Sequence, residues 1–320
     1  MEKIVTYSRS CTLILTEFCA NYCLYCGFRN DEGKLIEDDE ARKILSFAKG
    51  RDCTEILVMS GERPEESPEI ADALRKKGYS DFVRFAANVC RMILKTGMLS
   101  HTNIGVLSYD ELSRLKVVNA SMGLMIESTS EEIARKMHPR KNPSERIGVL
   151  DDAGRLKIPF TTGILVGLGE RGEDRVESLR EIIESHSRFD QVQEIIIQNF
   201  IPNKQSKLKK SHPLNIDDYV EMIEYIRENS DIAVQVPQNL NPYFAKLVKY
   251  GVSDIGGISE AEDRINPEKP WARVGELEKM MSAQNIRFKR RLPIYPKYIK
   301  KGWYSREVGV VIDKLLKHLA

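Results

Sequence analysis

Short apolar runs alternate with longer amphipathic stretches throughout this 320-residue chain, and this rhythm constrains its fold more than any other feature. The runs favour β-strands, and the alternation repeats about eight times. The predicted strands are 12–16, 55–60, 101–104, 121–127, 160–166, 194–200, 232–236 and 254–257. Apolar strands separated by helices indicate a parallel sheet covered on both faces. The sequence therefore predicts an α/β fold, either a (β/α)8 barrel of the TIM type or a doubly wound open sheet.

The stretches between the strands carry the apolar spacing of amphipathic helices. The predicted helices are 38–50, 80–97, 108–116, 143–157, 174–189, 216–229 and 275–285. In the first of them, Asp38 or Asp39 is expected to cap the amino terminus and Gly50 to close the carboxyl terminus. Ligands bind at the C-terminal ends of the strands in either architecture, so the loops that follow the strands are the predicted site.

No internal repeat, low-complexity segment or linker interrupts the rhythm, which predicts a single domain. Within it, residues 1–290 are expected to form the barrel and residues 291–320 a C-terminal extension that packs on it. The segment 287–306 carries eight basic residues, five aromatic residues and no acidic residue. This composition is typical of a nucleic-acid or partner-docking patch, but the overall charge of +2 favours a segment that packs across the barrel.

The charge balance argues against nucleic acid as an obligatory partner, because 49 basic residues face 47 acidic ones. The first ten residues lack the apolar segment of a signal peptide. No run approaches the roughly 18 to 20 apolar residues that cross a bilayer. We therefore expect a cytoplasmic protein without a membrane partner.

Three of the six cysteines lie within eight residues, in the string TEFCANYCLYCGFRN after the first predicted strand. A chain without a secretory signal does not use such cysteines as a disulfide framework, so Cys19, Cys23 and Cys26 are candidate metal ligands. The scattered cysteines are expected to be buried free thiols: Cys11, Cys53 and Cys90.

The number of clustered cysteines separates the possible kinds of site. A structural zinc ion usually has four Cys or His ligands, and no histidine lies between residues 1 and 100. A thioredoxin-like pair would use Cys23 and Cys26 and leave Cys19 unexplained. Three thiolates on a 4Fe-4S cluster leave one iron without a protein ligand, where a substrate-like molecule can coordinate. The spacing therefore favours an iron-sulfur cluster with one open position.

The pattern Cys19-x3-Cys23-x2-Cys26, with Tyr25 before the last cysteine, resembles the signature of the radical S-adenosylmethionine (SAM) superfamily. The resemblance implies a (β/α)8 barrel, one 4Fe-4S cluster held by the three cysteines, and SAM as an exchangeable ligand. In such enzymes the reduced cluster donates one electron to SAM, which cleaves to methionine and a 5′-deoxyadenosyl radical. The cysteines are then catalytic residues as well as metal ligands, and Tyr25 is expected beside the adenine.

Other marks of the superfamily follow in order along the chain. Gly61 and Glu62, in the string SGE, partly match the turn that holds the methionine amino group, and Glu127 matches the carboxylate that binds the ribose. The string GILVGLGE (163–170) resembles the element that packs near the adenine. By this resemblance the SAM contacts are Tyr25, Gly61, Glu62, Glu127, Gly167 and Gln198.

Longer strings narrow the resemblance further. They include HTNIGVLSYDELSRLKVVNASMGLMIESTSE, KIPFTTGILVGLGE, EIIIQNFIP, DIGGISE, INPEKPW and RLPIYPKY. Between about residue 4 and residue 300, the chain resembles the small-subunit family, CofG, of 7,8-didemethyl-8-hydroxy-5-deazariboflavin (FO) synthases, which serve coenzyme F(420) biosynthesis. A chain of 320 residues can hold only one half of that synthase. The resemblance thus implies a separate, CofH-like partner subunit.

The same resemblance implies a radical lyase of the ammonia-lyase type that acts on the product of the partner subunit. This substrate is 5-amino-5-(4-hydroxybenzyl)-6-(D-ribitylimino)-5,6-dihydrouracil, and hydrogen abstraction, ring closure and loss of ammonia would give FO. A one-electron reductant must also supply the cluster. The expected substrate contacts on the barrel rim are His101, Asn103 and Asn199, with Gln198 beside them. His138 is expected either to face the substrate or to lie on the surface.

Two alternatives remain open. Within the superfamily, the chain could be the partner subunit itself or another tyrosine- or menaquinone-related enzyme. Outside enzymes, it would be a non-catalytic iron-sulfur or zinc-binding protein on a barrel scaffold. Iron content separates the second alternative from the radical enzyme.

Overall fold

A computed structural model describes residues 3–259 and 268–319 of the chain. The strings DIGGISE and INPEKPW extend into the segment 260–267 and lie partly outside the described residues. The strands are β1 (Lys3–Thr16), β2 (Glu55–Ser60), β3 (Leu99–Asn103), β4 (Ser121–Gly123), β5 (Phe160–Val166), β6 (Val192–Asn199), β7 (Ala233–Gln235), β8 (Asp254–Ile258) and β9 (Ile286–Arg290). The α-helices are α1 (Asp38–Gly50), α2 (Pro68–Lys76), α3 (Phe82–Lys95), α4 (Tyr109–Lys116), α5 (Glu131–Met137), α6 (Pro143–Arg155), α7 (Gly172–Phe189), α8 (Ile216–Asn229), α9 (Phe244–Leu247), α10 (Val274–Ser282), α11 (Pro296–Lys300) and α12 (Arg306–Leu319).

Eight parallel strands close into a barrel. Each strand from β1 to β7 pairs with the strand that follows it, and β8 pairs back to β1. The closure confirms the (β/α)8 barrel, and the alternative of an open doubly wound sheet is wrong. Because the strands are parallel, the loops that follow them all emerge at one end of the barrel.

The elements with a uniform apolar pattern have the predicted bounds. They are β2 at 55–60, β5 at 160–166, α1 at 38–50 and α8 at 216–229. The strand β1 instead begins at Lys3, nine residues before its predicted start. Its first half is mixed in polarity, and it is extended because it pairs with β8 on one side and with β9 on the other. The sequence did not predict β9.

The strand β4 is much shorter than the predicted 121–127. The regular strand ends at Gly123, but the N–H groups of Leu124 and Ile126 still donate to carbonyl oxygens of β5, each at 3.0 Å, and a bridge joins Glu127 to Ile164. Glu127 has a φ of 69°, in the left-handed region that a non-glycine residue seldom occupies.

The predicted N-cap of α1 is wrong, whereas the helix ends at Gly50 as predicted. Glu37 occupies the N-cap position without a side-chain hydrogen bond, and Asp38 and Asp39 lie in the first turn. Their negative charges there still interact favourably with the positive end of the helix dipole. Gly50 is the last helical residue, and Arg51 follows it as the C-cap in place of a left-handed glycine.

The residues after β9 cross the end of the barrel opposite to the strand-end loops. We call residues 291–295 the floor segment. The guanidinium of Arg291 lies 2.9 Å from a carboxylate oxygen of Glu194, near the start of β6. The carbonyl oxygen of Pro293 accepts a hydrogen bond of 2.7 Å from the hydroxyl of Ser121, the first residue of β4. The floor segment therefore closes the N-terminal end of the barrel.

The chain beyond the floor segment packs on the outside of the barrel. Tyr298 of α11 and Ile312 of α12 are fully buried in a second apolar cluster, together with Leu99 of β3. The hydroxyl of Tyr298 donates to the carbonyl oxygen of Val192, at 3.0 Å. On these buried contacts we propose that residues 1–290 and 291–320 are a barrel and an extension within one domain.

No helix in the described ranges 3–259 and 268–319 has both the length and the hydropathy of a membrane span.

Candidate active site

A single cavity of about 410 Å³ connects the strand-end loops with the barrel interior. Its volume lies within the range of small-molecule sites. The cavity is lined at its upper end by the loop that follows β1 and by residues at the ends of β2, β3 and β6. It continues downward to the floor segment, since Arg291 and Pro293 also line it.

Cys19, Cys23 and Cys26 all line the upper end of this cavity. None of them is in a disulfide. Backbone N–H groups point at two of the sulfurs: Glu62 donates to Sγ of Cys19 at 3.2 Å, and Phe28 donates to Sγ of Cys26 at 3.4 Å. Hydrogen bonds of this kind to sulfur are among the features that tune iron-sulfur clusters.

The donor set of the cavity fits a cluster with three protein ligands. Burial raises the pKa of the Cys19 thiol, and burial raises the pKa of the Cys23 thiol to about 11. These thiols therefore keep their protons until a metal displaces them, as metal binding to cysteine requires. Among the described residues that line the cavity, no fourth cysteine is present. Three soft sulfur donors without a fourth suit a 4Fe-4S cluster that keeps one iron open.

Gly61 sets the position of the cysteine loop. A Cβ atom at this residue would lie 2.0 Å from the carbonyl oxygen of Phe18 and 2.5 Å from Cβ of Cys19. The turn after β2 can approach the loop this closely only without a side chain. The N–H of Ala20 then donates to the carbonyl oxygen of Glu62 at 2.9 Å, which joins the two segments.

Glu62 is held by a buried arginine. One oxygen of its carboxylate accepts from Arg146 at 2.9 Å and from the N–H of Val106 at 3.2 Å. Burial alone would raise the pKa of Glu62, but the positive charge of Arg146 holds it below its ordinary value. Glu62 is therefore an ionised acceptor at the edge of the cavity.

Glu127 is paired with a lysine in the same part of the cavity. The ammonium group of Lys141 lies 2.6 Å from the Glu127 carboxylate and 3.1 Å from the hydroxyl of Tyr25. Burial would raise the pKa of Glu127, but the charges of Lys141 and Arg146 hold it below its ordinary value. The left-handed backbone of Glu127 and this pairing fix a negative charge beside the cysteine loop.

The other residues predicted to contact SAM or the substrate line two different cavities. Asn103, Gln198 and Asn199 line the main cavity near the strand ends, and Asn199 donates to the carbonyl oxygen of Leu240 at 2.6 Å. Gly167, with a φ of 90°, lines a neighbouring cavity of about 520 Å³ instead.

Glu170 holds the turn in which Gly167 lies. Its two carboxylate oxygens accept from the N–H groups of Gly167 and Leu168, each at 2.8 Å. The carboxylate therefore stabilises the backbone of the loop after β5 and does not line the main cavity.

Two histidines lie elsewhere than expected. His101 is not on the rim: it is the third residue of β3, and its Nδ1 lies 2.7 Å from the hydroxyl of Ser121 inside the barrel. Burial, with the charge of Arg291 nearby, lowers the pKa of His101 to about 3, so the ring is neutral. His138 is not on the surface: it is buried, with its ring centre 5.8 Å from that of Tyr25.

The sequence profile of the radical SAM superfamily matches residues 13–182. Two curated relatives are 7,8-didemethyl-8-hydroxy-5-deazariboflavin synthases. That of Methanococcoides burtonii is 45% identical over 98% of this chain and 97% of its own length. That of Archaeoglobus fulgidus is 42% identical over the same shares, 98% and 97%. The chain belongs to the FO synthase family of radical SAM enzymes.

Two solved structures share the fold of this FO synthase family member. The crystal structure of HydG, a maturase of the FeFe hydrogenase, has a TM-score of 0.72 and 17% identity, and the match covers 96% of this chain and 68% of that one. The structure of methylornithine synthase, PylB, has a TM-score of 0.68 and 13% identity, with 94% and 86% covered. At these identities the likeness extends to the fold alone.

Sequence reasoning missed the cations and the inner polar residues of the FO synthase site. Lys141 and Arg146 lie after the predicted strand 121–127, in a basic stretch without a distinguishing pattern. Glu55 and Glu194 had a signal, because each is the only charged residue in a predicted strand that is otherwise apolar or uncharged. A charged residue in a barrel strand points either toward the helices or into the barrel interior. In the interior, its burial is costly unless a ligand or an ion pair compensates the charge.

Proposed function

We propose that this FO synthase converts 5-amino-5-(4-hydroxybenzyl)-6-(D-ribitylimino)-5,6-dihydrouracil into FO with loss of ammonia. It would then be a carbon-nitrogen lyase of the ammonia-lyase type. The observation that carries the proposal is that three free cysteines line the upper end of a deep, partly polar cavity inside the barrel. The near-complete coverage of relatives that are FO synthases supports it.

We further propose that Cys19, Cys23 and Cys26 hold one 4Fe-4S cluster and that SAM occupies its open iron. When bound and reduced, this pair supplies a 5′-deoxyadenosyl radical that can abstract hydrogen from the substrate. The protein residues around the cluster would bind SAM and orient it. In this proposal the ionised carboxylate of Glu62 accepts from the amino group of SAM, and that of Glu127 accepts from its ribose hydroxyls.

The protein must also keep water and stray hydrogen donors away from a radical. The floor segment supports this role because it closes the barrel end that lies opposite the cysteine loop. The apolar side chains of Leu57, Met59 and Ile196 line the cavity between the two ends. With the lower end closed by described residues, solvent would enter from the side of the strand-end loops, the side that we propose for SAM and substrate.

A separate partner subunit and a one-electron reductant complete the proposal. The described residues, 3–259 and 268–319, form one barrel with one cysteine loop, and the chain covers almost the full length of its FO synthase relatives. We propose that a separate chain carries out the radical reaction that makes the adduct. We place the enzyme in the cytoplasm, because six free cysteines are compatible with a reducing compartment.

Anaerobic reconstitution tests this function. The protein is loaded with iron and sulfide and then given SAM, dithionite and the adduct, and the expected result is FO, identified by its fluorescence and mass. Formation of 5′-deoxyadenosine only with free tyrosine and ribitylaminouracil would show that the chain is the partner subunit. A tightly bound zinc ion in place of iron would show a non-catalytic metal protein.

Replacing Glu127 by glutamine should weaken SAM binding by about tenfold to a hundredfold, since a hydrogen bond to a charged group is lost. The amide keeps the size of the side chain but leaves the ammonium of Lys141 without its carboxylate. Equilibrium binding of SAM to the reconstituted, unreduced protein measures the effect. The matched control is Glu132→Gln, an exposed carboxylate on α5, which should bind SAM as the unaltered protein does. Unchanged SAM affinity in Glu127→Gln would contradict the assigned role.

A further inference from the structure

The lower half of the cavity is unlike the usual interior of this fold. A (β/α)8 barrel is commonly filled by layers of branched apolar side chains. Here the cavity continues past Leu57 and Ile196 to a polar end above the floor segment. The polar side chains that line this end are those of Ser10, Glu55, His101, Thr161, Glu194 and Arg291. We call this part of the cavity the lower chamber.

Residues of the lower chamber on neighbouring strands are in register, and several lie about five residues below the ends of their strands. Glu55, the first residue of β2, is in register with Ser10 of β1. Across the barrel, Thr161 of β5 is in register with Glu194 of β6. A strand rises about 3.3 Å per residue, so this layer lies roughly 15 Å below the strand ends. Only an elongated molecule can reach from the cysteine loop into the lower chamber.

The lower chamber holds more carboxyl groups than cations. Glu194 and Asp254 share the single guanidinium of Arg291, at 2.9 Å and 2.6 Å. Glu55 is buried and has no ion pair within the described part of the chain. Burial raises the pKa of Glu55, and burial, opposed by the charge of Arg291, raises the pKa of Glu194 to about 7. Carboxyl groups in such surroundings require hydrogen-bond donors and disfavour a bound anion.

A neutral polyol has the matching chemistry. Its hydroxyl groups can donate to Glu55 and can accept from the amide of Gln235, which also lines the cavity. An apolar group would offer these polar groups no hydrogen bonds. A phosphate ester would bring negative charge toward Glu55 and Glu194.

We propose that the lower chamber binds the ribityl chain of the substrate, with Glu55 as a specificity-determining contact that favours the free polyol over its phosphate ester. The inference rests on the proposed function, which supplies the ribityl-bearing substrate. It places the ribityl contacts inside the barrel and not on the rim. The flat uracil ring then lies against Leu57 and Ile196, and the hydroxybenzyl group remains at the level of the cysteine loop.

Binding without turnover tests the inference. The anaerobically reconstituted protein with SAM, but without reductant, is titrated calorimetrically with three ligands. They are the ribitylimino adduct, its 6-methylimino analogue and its ribityl 5′-phosphate. Glu55→Gln should weaken binding of the ribityl adduct about tenfold to a hundredfold and change that of the methylimino analogue less than about twofold. The unaltered protein should bind the phosphate more weakly than the free polyol, and this difference should shrink in Glu55→Gln.

Two further variants keep the result interpretable. Glu131→Gln removes an exposed carboxylate at the start of α5 and should change none of the three affinities. Gln235→Met removes a polar group from the chamber wall with little change of size, and it should also weaken only the ligands that carry the ribityl chain. It serves as the second probe should Glu55→Gln fail to fold, which circular dichroism would show.

The outcomes separate this inference from the proposed function. Equal losses for the ribityl and methylimino ligands, or no loss for either, would overturn the assignment of the chamber, even if the protein makes FO. Tighter binding of the phosphate than of the free polyol would overturn it as well. If the unaltered protein binds the adduct but makes no FO on reduction, the proposed function fails, while a ribityl-specific loss in Glu55→Gln still supports the chamber.

Discussion

Cys26→Ala should lose both its iron and its FO synthesis. With only Cys19 and Cys23 remaining, two irons of a cubic cluster would lack protein ligands, and such a cluster is not expected to survive desalting. The unaltered protein should carry about four irons per chain with a broad absorbance near 400 nm, whereas the variant should show neither. FO formation should fall to the level of a protein-free control. The barrel itself should remain folded, because Cys26 lies on a half-buried loop and is not part of the core.

The control for this experiment is a thiol away from the cavity. Cys53 is a free, half-buried cysteine between α1 and β2, and it does not line the main cavity. Cys53→Ala should therefore keep the iron, the absorbance and the FO synthesis. Four irons retained in Cys26→Ala would remove this cysteine from the ligand set, and iron lost equally from both variants would point to a general defect in reconstitution.

Arg291→Met should lower the free energy of unfolding by about 3–5 kcal/mol, the loss expected when one partner of a buried ion pair is removed. Asp254 is fully buried, and its carboxylate accepts two hydrogen bonds from the guanidinium group of Arg291, at 2.6 Å and 2.7 Å. Without Arg291, the carboxyl groups of Asp254 and Glu194 share the barrel interior with no cation. Urea unfolding followed by circular dichroism measures the change.

Two comparisons make the Arg291 prediction specific. Lys289→Met removes a positive charge from an exposed side chain of the neighbouring β9 and should cost less than about 1 kcal/mol. Adding Glu194→Gln and Asp254→Asn to Arg291→Met should recover part of the lost stability, because the unpaired charges are removed. Equal stability of Arg291→Met and Lys289→Met would show that the ion pairs do not stabilise the barrel.

The fold could be predicted where the local pattern of apolar residues matches the burial of the segment in the folded protein. The strands 55–60 and 160–166 are apolar along their length because they are covered on both sides, and their predicted bounds match the structure. The strand β9 has the sequence IRFKR, in which three of the five residues are charged. It is a strand because it pairs with the first half of β1 outside the closed barrel, and this partner lies more than 280 positions away in the chain. No local pattern reports such a pairing.

The upper part of the candidate site could be predicted because its residues lie in short motifs. Cys19, Cys23, Cys26 and Glu62 follow the first two strands, and the structure brings them to one cavity. Their roles as ligands and SAM contacts remain predictions. The partners of the carboxylates could not be foreseen, because the pairing of Lys141 with Glu127 depends on the path of an irregular loop.

The lower chamber was the least predictable part of the site. Its walls come from residues of six strands, including Gln235 of β7, and from Arg291, each separated from the others by a helix or a longer stretch of chain. His101 was expected on the rim, but it is the third of the five residues of β3. It is in register with Leu57 of β2 and lies two residues, or about 6–7 Å, below the end of the strand at Asn103.

The floor segment follows all eight barrel strands in the order of synthesis. A growing chain can therefore assemble the walls of the barrel before anything closes its lower end. At that stage Glu194 and Asp254 lack their cation, and water entering from below can hydrate them. When Arg291 pairs with both carboxylates, it replaces this water, and the floor segment closes the lower end of the barrel. The cavity is then open only toward the strand-end loops in the described part of the chain. A nascent chain that stops before residue 291 would thus carry the cysteine loop but could not retain a polyol.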